Sequence, residues 1–314
     1  MKDIIITDCG NSRSIAKKLA KKLKAKYFPL KISSFPDKDL YMKFNLKSRQ
    51  IKGKTVIIVQ SFQPNSDQSL FRIVTASETA KQLGAKKVIL VAPYLAYMRQ
   101  DKMFNYGECI TSRVMAKLLN NSIDQILTVD PHLHRYRTMS EIFTIKAKNL
   151  TANPLIGQYV KKKIKNAVII GPDWESYQWV EEVAKISNSE STVFQKTRHS
   201  SRRVEEKMIK KVDMKGKNIV IVDDIISTGH TIAEAAKKAK KLGAKTVTAI
   251  GVHGLLVENA VRKMKKAGVD KIVTTNCIKH ETNGIDVTEL FVPALEGKKA
   301  RRLVLKKRIP KKIK

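Results

Sequence analysis

Two adjacent carboxylates, Asp223 and Asp224, close an aliphatic run at 219–222, and Ser227, Thr228, Gly229, His230 and Thr231 follow them. Acids fixed at the end of a strand can accept hydrogen bonds from vicinal hydroxyls or hold a hydrated Mg2+. Hydroxyl residues around a glycine, at the start of a helix, offer a phosphate unpaired N–H groups and the positive end of a helix dipole. Together they describe a ligand with neighbouring hydroxyls and a phosphate, the chemistry of ribose 5-phosphate. The simpler alternative is a strand end followed by an ordinary helix cap, its acids in solvent.

The elements that must position these groups are readable from periodicity. The aliphatic run predicts a buried strand that ends at the acids, and the segment from about Thr231 to Leu242 predicts a helix. The same alternation recurs along the chain. Strands are expected at 4–6, 27–32, 53–59, 87–91, 126–129 and 168–171, with another ending near Phe194; helices are expected at 14–23 and up to Leu83. Such alternation argues for a mainly parallel, doubly wound α/β sheet with ligands at the carboxyl ends of its strands. The pattern also repeats within the chain. Gly53-Lys54-Thr55-Val56-Ile57-Ile58-Val59 matches Gly216-Lys217-Asn218-Ile219-Val220-Ile221-Val222, and Leu83-Gly84-Ala85-Lys86 matches Leu242-Gly243-Ala244-Lys245. A period of about 160 residues is the size of a domain, so a tandem pair is expected. The polar stretch 146–153 divides residues 1–148 from 149–295, and a basic tail occupies 296–314. Gln60-Ser61 stands where the second half has Asp223-Asp224, so only the second half keeps the sugar-phosphate chemistry.

Composition bounds the remaining classes. With 314 residues, 42% hydrophobic and 29% charged, the chain is of globular type. Its 62 Lys and Arg against 28 Asp and Glu give a net charge of +34. Such a field attracts nucleotides and sugar phosphates, and it leaves nucleic-acid binding open. Most lysines fall on helix-like segments as solvated faces, and only 306–314 is a dense cluster. Cys9, Cys109 and Cys277 are widely spaced and lack metal-ligand spacing, which suits a reducing cytoplasm. No apolar run reaches membrane-spanning length, so no membrane role is expected.

The 219–231 segment resembles the phosphoribosyl-pyrophosphate binding loop shared by phosphoribosyltransferases and ribose-phosphate pyrophosphokinases, and other segments resemble the pyrophosphokinases alone. Tyr97-Met98-Arg99-Gln100-Asp101-Lys102 is similar to their Tyr-x-Arg-Gln-Asp-Lys/Arg motif, which implies ATP contacts for Arg99, Gln100, Asp101 and Lys102. Phe35-Pro36-Asp37-Lys38-Asp39 corresponds to Phe-x-Asp-Gly-Glu, implying adenine stacking by Phe35 and base contacts by Asp37 and Asp39; Lys38 replaces the glycine and Asp39 the glutamate. Asp130-Pro131-His132 resembles Asp-Leu-His and implies that His132 ligates Mg2+, with Asp173 of Pro172-Asp173 close to the metal. Trp174, Glu175 and Ser176 follow where the family usually has a pair of small residues. The stretch 195–203 resembles the flexible catalytic loop in its archaeal-type Lys-Thr-Arg form, implying that Lys196 and Arg198 stabilise charge on the transferred group.

The resemblance implies two tandem phosphoribosyltransferase-like (type I) domains, ATP held by the first and ribose 5-phosphate by the second. It also implies Mg2+ dependence and a homo-oligomer, a dimer or higher, whose adjacent subunits complete the ATP site. Two rivals stay open: a phosphoribosyltransferase, and a catalytically silent regulatory or nucleic-acid-binding relative favoured by the +34 charge.

Overall fold

A computed structural model describes residues 3–46, 49–198, 204–208 and 211–297, without the side chains of 175, 178, 195–198 and 204–207. Residues 298–314, nearly all of the expected basic tail, lie outside the described residues.

The first half begins with β1 (Ile4–Asp8), α1 (Arg13–Lys22) and β2 (Lys26–Tyr27), then a hairpin of β3 (Leu30–Ser34) and β4 (Leu40–Phe44). There follow β5 (Thr55–Val59), α2 (Ser66–Gln82), β6 (Lys87–Ala92), α3 (Thr111–Ser122), β7 (Gln125–Val129) and β8 (Lys146–Leu150). The second half comprises α4 (Asn153–Lys163), β9 (Ala167–Gly171), α5 (Tyr177–Ser187), β10 (Glu190–Arg198), β11 (Val204–Met208), β12 (Asn218–Ile226) and α6 (His230–Lys241). It closes with β13 (Thr246–Gly254), α7 (Ala260–Lys266), β14 (Lys271–Thr275), β15 (Asn283–Ile285) and α8 (Thr288–Leu295).

Six strands form the first sheet in the order β2-β1-β5-β6-β7-β8, and seven form the second as β11-β10-β9-β12-β13-β14-β15. Every pairing in both is parallel except β10 with β11. The central strands are aliphatic runs because helices cover both faces. In β12 the alternation is visible: Val220 and Val222 join a core that continues into the first half, whereas Ile219 and Ile221 pack with Ile232, Ala236 and Met264 under α6 and α7. A helix pair also joins the halves. α8, at the end of the second half, packs on α1 of the first, where Lys18 pairs with Asp286 at 2.5 Å and Lys22 with Glu289.

Three local expectations are corrected. The strand expected at 27–32 breaks at Phe28-Pro29, since proline cannot donate to a ladder, and the chain leaves the sheet as the β3–β4 hairpin. The strand expected to end near Phe194 runs to Arg198 because β11 pairs with it, Lys196 opposite Glu206. Finally, β12 passes through its two acids. Its pairing with β9 stops at Ile221, but β13 carries it on to Ile226. The last strand of the first sheet, β8, ends at Leu150, within the stretch 146–153.

Candidate active site

The duplicated topology aims two sheet edges at one cavity of about 200 Å³. From the first half come Arg99, after β6, and His132 and His134, after β7; from the second come Asp173, Asp223, Asp224 and the 225–232 segment. Consecutive residues of a strand point to opposite faces, so Asp223 and Asp224 diverge. Asp224 is buried and its Oδ2 lies 2.7 Å from Nδ1 of His132, a contact that joins the two halves. Burial alone would raise the Asp224 carboxyl, but the hydrogen bond and charge of His132 hold it below the ordinary range. Burial, with the neighbouring Asp224 and Asp173, pushes Asp223 well above that range. A place that penalises a second and third negative charge is one that a cation stabilises.

Gly229 starts α6 at φ +72°, with Met264 Cγ 3.0 Å from where a Cβ would stand. No side chain caps α6 and no acid lies in its first turn, so its leading N–H groups are left for a ligand. Ser227 and Thr228 are half-buried in the same wall, while His230 is exposed and pairs with Glu234 at 3.2 Å. Thr231 also lines the cavity.

Asp173 is set by the turn after β9. Its Oδ1 accepts from the Ser176 amide at 3.2 Å, and the Ser176 hydroxyl donates to the Asp173 carbonyl at 2.5 Å. Ser176 sits over Gly171, where any Cβ would lie 2.0 Å from its Oγ. The departure at 174–176 therefore builds a compact turn, with Trp174 stacked on Tyr177 at 5.4 Å.

Other residues singled out by sequence fall elsewhere. Phe35, Asp37 and Asp39 are exposed at the tip of the β3–β4 hairpin, Phe35 edge-on to Tyr41 at 5.5 Å, and none lines the cavity. Asp101 is buried, and its Oδ1 accepts from Arg135 at 2.7 Å, so it braces the loop from beneath. Gln100 holds the start of α3 through its carbonyl, which accepts from the Ser112 amide at 3.3 Å, and Lys102 lies over the Phe104 ring at 5.0 Å. Of the four-residue motif, Arg99 alone lines the cavity. Lys196 and Arg198 fall on β10, beside the strand that leads to Asp173; their side chains lie outside the described ones.

Sequence reasoning missed His134, Trp179 and His253. His134 stands two residues from His132, and that spacing was the available signal; Trp179, on α5, lines the wall without any motif. His253, on β13, is buried beneath the site and its Nε2–H donates to the carbonyls of Val129 at 3.0 Å and Asp130 at 3.2 Å. Burial lowers it to about 4, so it is neutral at pH 7. The bond clamps β13 to the end of β7, the segment that carries His132. Asp130 itself is buried and pushed up to about 7, although it accepts from the Ala152 amide at 2.7 Å.

Among known proteins, residues 4–122 match the family model described as the N-terminal domain of ribose phosphate pyrophosphokinase, and residues 138–291 match that of the phosphoribosyl transferase domain. The ribose-phosphate pyrophosphokinase of Methanothermobacter thermautotrophicus is 33% identical over 93% of this chain and 100% of its own length. Ribose-phosphate pyrophosphokinase 2 of Archaeoglobus fulgidus is 34% identical over 91% of this chain and 98% of its own. Among solved structures, the phosphoribosylpyrophosphate synthetase of Mycobacterium smegmatis shares the fold with a TM-score of 0.81 at 23% identity, covering 94% of this chain and 98% of that one.

Proposed function

This chain belongs to the ribose-phosphate pyrophosphokinase family, and from that membership we propose that it transfers the diphosphoryl group of MgATP to the anomeric hydroxyl of ribose 5-phosphate, giving phosphoribosyl pyrophosphate and AMP. The observation that carries the reading is the pairing, across one cavity, of Asp223 and Asp224 with the uncapped start of α6. The 5-phosphate sits on the 227–231 loop and the helix N-terminus, and the ring hydroxyls donate to Asp223 and Asp224. Arg99 enters from the opposite half, where a polyphosphate would lie, and its planar guanidinium suits bidentate phosphate contacts. We assign ATP to residues 1–148 and the sugar to residues 149–295.

The donor set fits Mg2+. Three carboxylates border the cavity, and burial together with the charges of Asp224 and Asp173 lifts Asp223. Asp173 and His132 would hold the ion, which supplies charge neutralisation to the phosphate chain when bound. The chain's own residues position the reactants. The anomeric oxygen attacks the β-phosphorus, the bond from that phosphorus to the bridging oxygen of AMP breaks, and the sugar hydroxyl releases its proton. We assign Lys196 and Arg198 to the charge that develops in this step, brought over the cavity by the β10–β11 hairpin.

That hairpin has a counterpart in the first half. β3–β4 stands at the equivalent point of the repeat, and its exposed tip does not reach this chain's own cavity. This supports a homo-oligomer in which Phe35, Asp37, Asp39, Gln100 and Lys102 contribute to nucleotide binding across a subunit boundary. No described helix is long and apolar enough to cross a membrane, and we place the protein in the cytoplasm. Phosphorus NMR of the products tests the reaction. A diphosphate on the anomeric oxygen, formed together with AMP, is expected; consumption of phosphoribosyl pyrophosphate with a nucleobase would instead make the chain a transferase.

A further inference from the structure

The repeat places an equivalent pair of helices on each half and gives the two pairs different outer faces. In the first half α2 and α3, after β5 and β6, expose Phe71, Val114 and Leu118. In the second, α6 and α7 hold the same place after β12 and β13, side by side on the core that contains Ile219 and Ile221. Their inward residues are Ile232, Ala235, Ala236, Ala239, Ala260 and Met264. The helical period then turns Lys237 and Lys241 outward on α6, and Arg262, Lys265 and Lys266 outward on α7. All five are exposed, and among the described residues none of them has an ion pair or a side-chain hydrogen bond. Glu234 is the sole acid in the two helices, and it pairs with His230.

Helix dipoles do not account for these cations. A lysine in the last turn complements the dipole, and Lys240 and Lys263 already stand there, paired with Asp270 at 2.9 Å and Glu258 at 3.5 Å. Lys237 and Arg262 lie before the last turn. Like charges one turn apart, as at Lys237 and Lys241 or Arg262 and Lys266, repel, so this is a face that an external anion stabilises. Its extent excludes a small one. Cations one turn apart are separated by about 5–6 Å, and neighbouring helices by about 8–10 Å, whereas a chain of regularly spaced phosphates can meet them all. We propose that the outer face of α6 and α7 binds the phosphodiester backbone of nucleic acid, without regard to base sequence. A cleft of about 490 Å³ beside α7, floored by Leu256, Ala260 and Val261 and rimmed by Arg262, Lys265 and Lys266, gives one phosphate and its sugar a fixed seat. An anionic membrane fits less well, because a helix lying on a bilayer turns an apolar face toward it, and α6 and α7 turn theirs to the core. The face uses neither ATP nor ribose 5-phosphate, so this second role does not rest on the reaction assigned above.

The test is fluorescence anisotropy of labelled RNA and DNA oligonucleotides, single-stranded and duplex and in two unrelated sequences. Each is titrated with full-length protein across a range of salt, with ribose 5-phosphate present to fill the cavity. One variant carries Lys237→Gln, Lys241→Gln, Arg262→Gln, Lys265→Gln and Lys266→Gln. A control removes the same charge from exposed lysines of the first half, through Lys21→Gln, Lys24→Gln, Lys26→Gln, Lys52→Gln and Lys86→Gln. The first variant should bind at least about tenfold more weakly. On a single strand its logarithmic salt slope should be shallower by about 3.5, the release of five counterions at about 0.7 each, while the control stays within about 1 of wild type. Unchanged thermal unfolding checks that the variants fold. Lys265→Gln with Lys266→Gln alone, a milder change, should make the slope shallower by about 1.4. Comparison of the probes identifies which nucleic acid the face prefers. The proposal is overturned if no oligonucleotide binds at physiological salt, if the two large variants weaken binding equally, if one base sequence is strongly preferred, or if anionic vesicles capture the protein and nucleic acid does not compete.

Discussion

Replacing Gly229 by alanine isolates the contribution of the phosphate loop, because Gly216 provides a matched control. Both glycines have left-handed backbones, φ +72° and +69°, and a β-carbon there costs about 1–2 kcal/mol. At Gly216 the added methyl meets nothing within 4 Å, so Gly216→Ala should lose that amount and no more. At Gly229 it meets Met264 Cγ at 3.0 Å and Ala260 Cβ at 3.3 Å. Crowding of this kind adds about 1 kcal/mol, for a total of about 2–3 kcal/mol by denaturant unfolding. The contacts push the loop off α7 and turn the N–H groups that open α6. Loss of one charge-assisted hydrogen bond, about 1.5 kcal/mol, weakens ribose 5-phosphate about tenfold. Isothermal titration with ribose 5-phosphate reads this directly. If Gly229→Ala bound the sugar like wild type and unfolded with Gly216→Ala, the loop would not be the phosphate site.

Two further perturbations test the scaffold. His253 is held near 4 against 6.5 for a free histidine, so the unfolded chain binds the extra proton between those values and native stability rises with pH across them. The stability advantage of wild type over His253→Gln should therefore grow by about 3 kcal/mol from pH 4 to 6.5, and a difference that stays flat would mean that His253 is not buried neutral. Lys38 adopts φ +77° at the hairpin turn where the family has glycine, so Lys38→Gly should raise stability by about 0.5–1 kcal/mol. A lower unfolding midpoint would show that the lysine side chain holds the turn.

Much of the architecture is legible in the sequence because strands covered on both faces leave uninterrupted aliphatic runs, as at 56–59 and 219–222, and because the two halves repeat them. The site loop is legible for a related reason: Ser227 to Thr231 act through local backbone, which residue type constrains. What escapes is long-range. Nothing near Asp101 announces Arg135 as the partner that turns it inward, 34 residues away. Nothing near His253 announces the carbonyl of Val129, 124 residues away. The path of β12 through its acids depends on how far β13 extends, which local periodicity does not encode. The hairpin tip keeps only Phe35 and Asp37 of its motif, and sequence similarity carries no information about where the tip lies relative to the cavity.

The central claim is that the cavity joins a sugar phosphate to a nucleotide through the charge supplied by the β10–β11 hairpin. Its most direct measurement is AMP release from MgATP by purified protein, with and without ribose 5-phosphate, beside Lys196→Ala. AMP that forms only with the sugar and falls by several orders of magnitude in the variant is the predicted result. AMP formed equally without the sugar, or undiminished in Lys196→Ala, would contradict the account; no AMP from any nucleoside triphosphate, with sugar phosphate still bound, would make the chain a silent relative.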